Sequence, residues 1–132
     1  MPYVAIVTVA ALIEFFWFSI LVGKARAKYG IAAPATTGHE VFERYFRVHM
    51  NTQEQLVLFL PALWIFAYVI SPVWAAGFGV VFIIGRAIYC ASYVRNPKSR
   101  SLGFGLTTLP TMAMLIWILV WAVRAIAMGT AS

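Results

Sequence analysis

Four long apolar stretches set what this chain can become. They run over about Tyr3–Val22, Tyr45–Ile70, Val73–Val94 and Leu102–Met128. Crossing the hydrocarbon core of a bilayer takes about 20 apolar residues of helix, at roughly 1.5 Å rise each. Each stretch meets that length. A soluble domain has nowhere to put them: apolar residues make up 63% of the 132 and charged residues 11%, and a chain this small buries too little of its surface. The expected fold is all-α, an integral membrane up-down four-helix bundle forming one domain over residues 1–132. Ser71-Pro72 supplies a tight second turn, because proline disfavours helix in the residue before it. Asn96-Pro97 ends the third span in the same way. No Lys or Arg precedes the first run, which is long enough to span, so it reads as a retained helix rather than a cleaved signal.

Charge orients the bundle. Lys24, Arg26, Lys28 and Arg44 lie in or beside the first loop, and Arg95, Lys98 and Arg100 in the third; the second loop carries none. The formal charge of +6 thus follows the positive-inside pattern rather than a nucleic-acid footprint. No nucleic-acid partner is expected. Loops one and three are placed in the cytoplasm and both termini on the opposite side, with Arg124 snorkelling near the C-terminal end. The first loop is expected to be long, from Gly23 to about Glu43, broken by Gly30, Pro34 and Thr36-Thr37-Gly38. Cys90, the only cysteine, cannot form an intrachain disulfide and reads as a small buried packing residue. His39 and His49 lack ligand spacing, so no metal is expected. Neither a phosphate-binding glycine loop nor a serine nucleophile motif is present.

The informative residues are polar ones inside the spans. Arg47, Asn51 and Glu54 stand at i, i+4 and i+7, on one helix face. His49, Gln53 and Gln55 lie beside them. Arg86, Tyr89 and Tyr93 stand at i, i+3 and i+7 of the third span, and Arg100 follows just past its break. Charges in lipid are expensive and usually functional. Together these residues are expected to line a cationic pocket between helices at the cytoplasmic end. It suits a small, zwitterionic, mainly anionic ligand: arginine forks grip carboxylates, Glu54 receives an ammonium group, and tyrosine hydroxyls donate to a carbonyl or thiolate. The competing reading makes Arg47, Arg86 and Glu54 structural ion pairs and the tyrosines interfacial anchors. Glu14, mid-span, must face protein or water, or be protonated. It reads either as a proton-coupled site or as a structural partner for an arginine. Trp117 and Trp121 read as packing or interface anchors, with a substrate crevice as the alternative.

These residues also carry a resemblance. Thr36-Thr37-Gly38, Phe42-Glu43-Arg44, Arg47…Asn51…Glu54 and Leu58-Phe59-Leu60, then Arg86, Tyr89, Tyr93, Arg95 and Arg100, resemble the membrane-associated proteins in eicosanoid and glutathione metabolism, the family of microsomal glutathione transferases and leukotriene synthase. The match covers most of the chain, without a gap from Arg26 to Arg100 against the leukotriene-synthase pattern. The resemblance implies a homotrimer with glutathione as co-substrate between neighbouring subunits. Arg47, Asn51, Glu54, Tyr89, Tyr93 and Arg100 match glutathione-contact positions, and Arg26 matches one contributed by the neighbour. Arg100 matches the catalytic arginine that stabilises the thiolate. Departures from the leukotriene-synthase pattern are Gln55 for a tyrosine, His49 for a glutamine and Ala27 for a second arginine. They point away from leukotriene synthesis itself and toward a broader transferase or peroxidase acting on a hydrophobic small molecule or lipid. Two rivals stand beside that reading: a non-catalytic lipid-binding scaffold of the same fold, and a proton-coupled small-molecule exporter centred on Glu14.

Overall fold

A computed structural model describes residues 1–129 as four long helices and one short turn of 3₁₀ helix. The helices are α1 (Pro2–Tyr29), α2 (Glu40–Val69), α3 (Pro72–Arg95) and α4 (Ser101–Ala127), with the 3₁₀ turn at Pro97–Ser99 between the last two. All four spans are long and apolar enough to cross a membrane. No strand forms among the described residues. Bare apolar side chains such as Ile6, Val9, Ile13, Phe16, Leu119 and Val123 cover the outer faces. Lipid suits such a surface, and water does not.

Local chemistry sets most helix ends. Ser71 caps α3, its Oγ accepting from the Trp74 amide at 3.2 Å, with Pro72 in the first turn where its missing N–H costs nothing. Asn96 ends α3 in an extended conformation and caps the 3₁₀ turn through the Lys98 amide at 3.1 Å. Ser99 Oγ donates back to the Ser92 carbonyl at 3.1 Å and the Asn96 carbonyl at 2.8 Å. Arg44 Nη1 donates to the Val94 carbonyl at 3.0 Å, tying α2 to the end of α3, and Arg44 pairs with Glu40 one turn away.

The first connection differs from its expected form. α1 continues through Lys24, Arg26 and Lys28 to Tyr29, and α2 begins at Glu40, so the loop holds only Gly30 to His39. Ala, Lys and Arg are strong helix formers and carry the helix past Gly23, which meets no steric demand. Gly30 is where the chain turns left-handed, at φ 67°. His39 then caps α2, its Nδ1 accepting from the Val41 amide at 3.1 Å while its ring stacks on Tyr29 at 3.7 Å.

In the bundle α2 and α3 form a central pair. α1 packs on one flank of it and α4 on the other, and the two flanking helices barely meet. The core stacks Phe59 on Phe82 at 3.9 Å, sets Phe66 edge-on to Phe78 and Trp117, and fills in with Val4, Leu63, Ala75 and Met114. α3 and α4 approach most closely at Gly85 and Gly103. A Cβ at Gly85 would sit 2.7 Å from Leu106, and one at Gly103 would overlap the backbone of Tyr89.

Candidate functional site

The up-down course brings Lys24, Arg26, Lys28, Arg44, Arg95, Lys98 and Arg100 to one end of the bundle. A groove of about 460 Å³ opens there between α2, α3, the 3₁₀ turn and α4. Arg47 and Asn51 line it from α2, Tyr89 from α3, Lys98 and Arg100 from the turn, and Ser101, Phe104 and Gly105 from the start of α4. Four of the residues singled out by spacing and resemblance therefore share one cavity: Arg47, Asn51, Tyr89 and Arg100.

The groove is strongly cationic. Arg47 is paired only loosely, its Nη1 lying 3.9 Å from Glu54 Oε1 with both side chains more than half exposed (58% and 60%). An exposed pair at that separation holds neither partner firmly, so Arg47 is free to turn toward a ligand. Arg100 and Lys98 are exposed. Asn51 Oδ1 is buried without a hydrogen-bond donor, an unmet demand that a ligand N–H would satisfy. Tyr89 is 3% exposed and stacks against Tyr93, ring centroids 5.5 Å apart. Rigid aromatic walls, three cations and one open acceptor suit a small ligand with several carboxylates and amides.

Three predicted residues fall outside this cavity. Glu54 sits at its edge, reached through Arg47. Tyr93 faces a shallower hollow beside Gly38, His39 and Glu43. Arg26 is turned away, donating to the Ala35 carbonyl at 2.7 Å and lying over the Phe42 ring at 4.8 Å. Lys98, Ser101 and Phe104 were not foreseen as lining residues. Their signal was their nearness to Arg100 just beyond the Asn96-Pro97 break.

Arg86 does not join the pocket that its spacing implied. It is fully buried and points inward, where Nη2 donates to Thr52 Oγ1 at 2.7 Å and Nη1 to Thr107 Oγ1 at 3.5 Å. Its guanidinium lies 4.3 Å from the Tyr89 ring centroid. Arg86 thus joins α2, α3 and α4, and Glu14 of α1 lies within electrostatic reach of it without forming an ion pair among the described residues. It backs the groove from behind rather than lining it. Trp117 packs edge-on to Phe66 at 5.1 Å, and together with Trp121 it also lines an open hollow of about 300 Å³ near the end of α4, so both roles read for these tryptophans have a counterpart. Cys90 is a free, buried thiol. Among the described residues, no three His, Cys, Asp or Glu side chains gather to hold a metal ion.

Four apolar spans define a multi-pass membrane protein, with a cationic groove at one end of its bundle. The MAPEG family model matches residues 4–120, and the chain belongs to the MAPEG family. An uncharacterised protein of Synechocystis is 43% identical over 123 residues, covering 91% of this chain and 90% of the relative. Human microsomal glutathione S-transferase 2 is 37% identical over 111 residues, 84% of this chain and 75% of that protein. Bovine leukotriene C4 synthase is 33% identical over 116 residues, 88% of this chain and 74% of that protein.

Proposed function

We propose that the protein is a membrane-bound glutathione transferase acting on hydrophobic electrophiles. The observation that carries this reading is the convergence of Arg47, Asn51, Tyr89 and Arg100 on one groove, joined by the kinship to a transferase and a synthase. Arg47, Lys98 and Arg100 hold the carboxylates and the sulfur, Asn51 Oδ1 accepts an amide N–H, and Glu54 takes the ammonium group once Arg47 swings to the ligand. Tyr93 and Arg26 belong to the same site. Arg26, turned away within its own chain, reaches the glutathione of a neighbouring copy in a homotrimer. The basic end faces the cytoplasm, following the loop charges, and domain organisation is a single unit over residues 1–132.

Arg100 is the catalytic residue. A free thiol ionises near pH 8.5, so little thiolate exists at neutral pH. Lowering that value by about two units takes roughly 2.7 kcal/mol of preference for the anion. A guanidinium close to sulfur in a partly dehydrated groove supplies energy of that order. The thiolate attacks the electrophilic carbon, forming the C–S bond while the displaced electron pair leaves with the departing group or is protonated. With a lipid hydroperoxide, attack falls on the distal oxygen instead, giving the alcohol and a sulfenic acid that a second glutathione reduces to the disulfide and water.

The test is a thiolate titration of the purified protein with saturating glutathione, followed by ultraviolet absorbance against pH. The wild type should hold the bound thiol well below its free value, and Arg100→Ala should restore it. Binding without a thiolate signal would favour the lipid-presenting scaffold. Absence of glutathione binding would favour the exporter centred on Glu14, which predicts pH-gradient-driven efflux abolished by Glu14→Gln.

A further inference from the structure

A second groove, of about 370 Å³, lies between α1 and α3 on the far side of α3 from the first. Trp17 and Leu21 of α1 and Ala91 and Val94 of α3 form its apolar walls, Tyr45 at the start of α2 closes one edge, and Glu14, Cys90 and Arg95 also line it. The two grooves are separate. α3 presents Tyr89 to one and Ala91 and Val94 to the other, about half a turn round the helix at 3.6 residues per turn.

Two polar groups of opposite character are left without partners along it. Glu14 lies level with Arg86 and Cys90, within electrostatic reach of both. Its Oε1 is sealed from the surface with no donor, and among the described residues no hydrogen bond reaches the other oxygen. Arg86 does not fill that demand: its Nη atoms are committed to Thr52 and Thr107, and its Nε meets no acceptor. Arg95 stands five to nine residues nearer the basic end, about 8–13 Å along the helix. It is exposed, and its guanidinium makes no hydrogen bond or ion pair among the described residues. A carboxyl without a donor in an apolar span is costly. The groove therefore asks for an anion at its mouth, an apolar chain along its walls and a hydrogen-bond donor at its inner end.

We propose that the α1–α3 groove is a second binding site, taking a fatty acid that carries a hydroxyl partway along its chain. The carboxylate sits on Arg95, the chain runs past Leu21, Ala91 and Val94, and the hydroxyl donates to Glu14. An ordinary diacyl lipid offers no donor at that depth. The site is independent of the glutathione reading.

The test compares ricinoleic acid with oleic acid, which differ by one mid-chain hydroxyl. Equilibrium binding of each is measured on the full chain purified in detergent, without glutathione. The wild type should prefer ricinoleic acid by about five-fold, the order one hydrogen bond supplies. Glu14→Leu should erase the preference by bringing oleic acid binding level with or above that of ricinoleic acid, and retained binding of oleic acid shows the variant is folded. Glu14→Gln, which keeps an acceptor, should retain it. Arg95→Gln should weaken both acids. Equal binding of the two acids by the wild type, a preference that survives Glu14→Leu, or no binding of either acid would overturn the proposal.

Discussion

Arg86 shows how much one residue can couple. A fully buried guanidinium in a lipid-embedded bundle needs acceptors for its donors; Thr52 and Thr107 accept from its two Nη atoms from two other helices, and its Nε is left without an acceptor. Glu14 adds an attraction from the fourth. Arg86→Leu should therefore lower thermal stability in detergent clearly, and Arg86→Leu with Glu14→Leu should lose less than the two single changes summed. The double-mutant cycle should give a coupling of about 0.5–3 kcal/mol; strict additivity would mean the two charges ignore each other. Glu54→Gln should weaken glutathione binding by removing the ammonium's carboxylate. Unchanged affinity by calorimetry would leave Glu54 as no more than Arg47's loose partner. Spacing alone put Arg86 on the face of Tyr89. Three helical residues sweep about 300°, and the missing 60° separates a core position from a groove wall. Thr52 and Thr107, polar residues within apolar spans, were the overlooked sign that something buried needed acceptors.

At the scale of helices, what was legible was local. Ser71-Pro72 and Asn96-Pro97 end helices by their own covalent geometry, and the structure breaks at both. Gly23 and Gly30 looked alike in the sequence, yet only Gly30 turns left-handed, because the strong helix formers between them hold α1 together. Gly30→Ala should cost about 1–2 kcal/mol for the left-handed backbone, and Gly23→Ala should stabilise slightly; denaturation of the pair in detergent checks both. The contact between α3 and α4 could not be read from spacing, since the meaning of Gly85 and Gly103 depends on a neighbour far along the chain. Gly103→Ala should force the helices apart at Tyr89 and cost about 1–3 kcal/mol. Glutathione affinity should fall with it, because Tyr89 is a wall of the groove; a variant with lower stability but intact affinity would separate packing from site.

For the whole molecule, the open arrangement matters most. α1 and α4 flank a central pair without closing on each other, so each copy has two outer helices with apolar faces to spare. If Arg26 serves a neighbour's groove, chemical cross-linking in mild detergent should stop at three copies. Mixing Arg26→Ala chains with Arg100→Ala chains should then restore some activity, because one kind of mixed interface carries both native arginines. The groove itself has unequal sides. α3 and α4 are in close contact at Gly85 and Gly103. α2 meets the groove through the long side chain of Arg47, and its remaining edge is the short Pro97–Ser99 turn. If the groove admits a ligand, the rim is the side expected to move, with α3 and α4 as the fixed jaw. On the proposed reading, the pace at which glutathione comes and goes should be set by the three-residue Pro97–Ser99 turn rather than by the membrane-spanning helices.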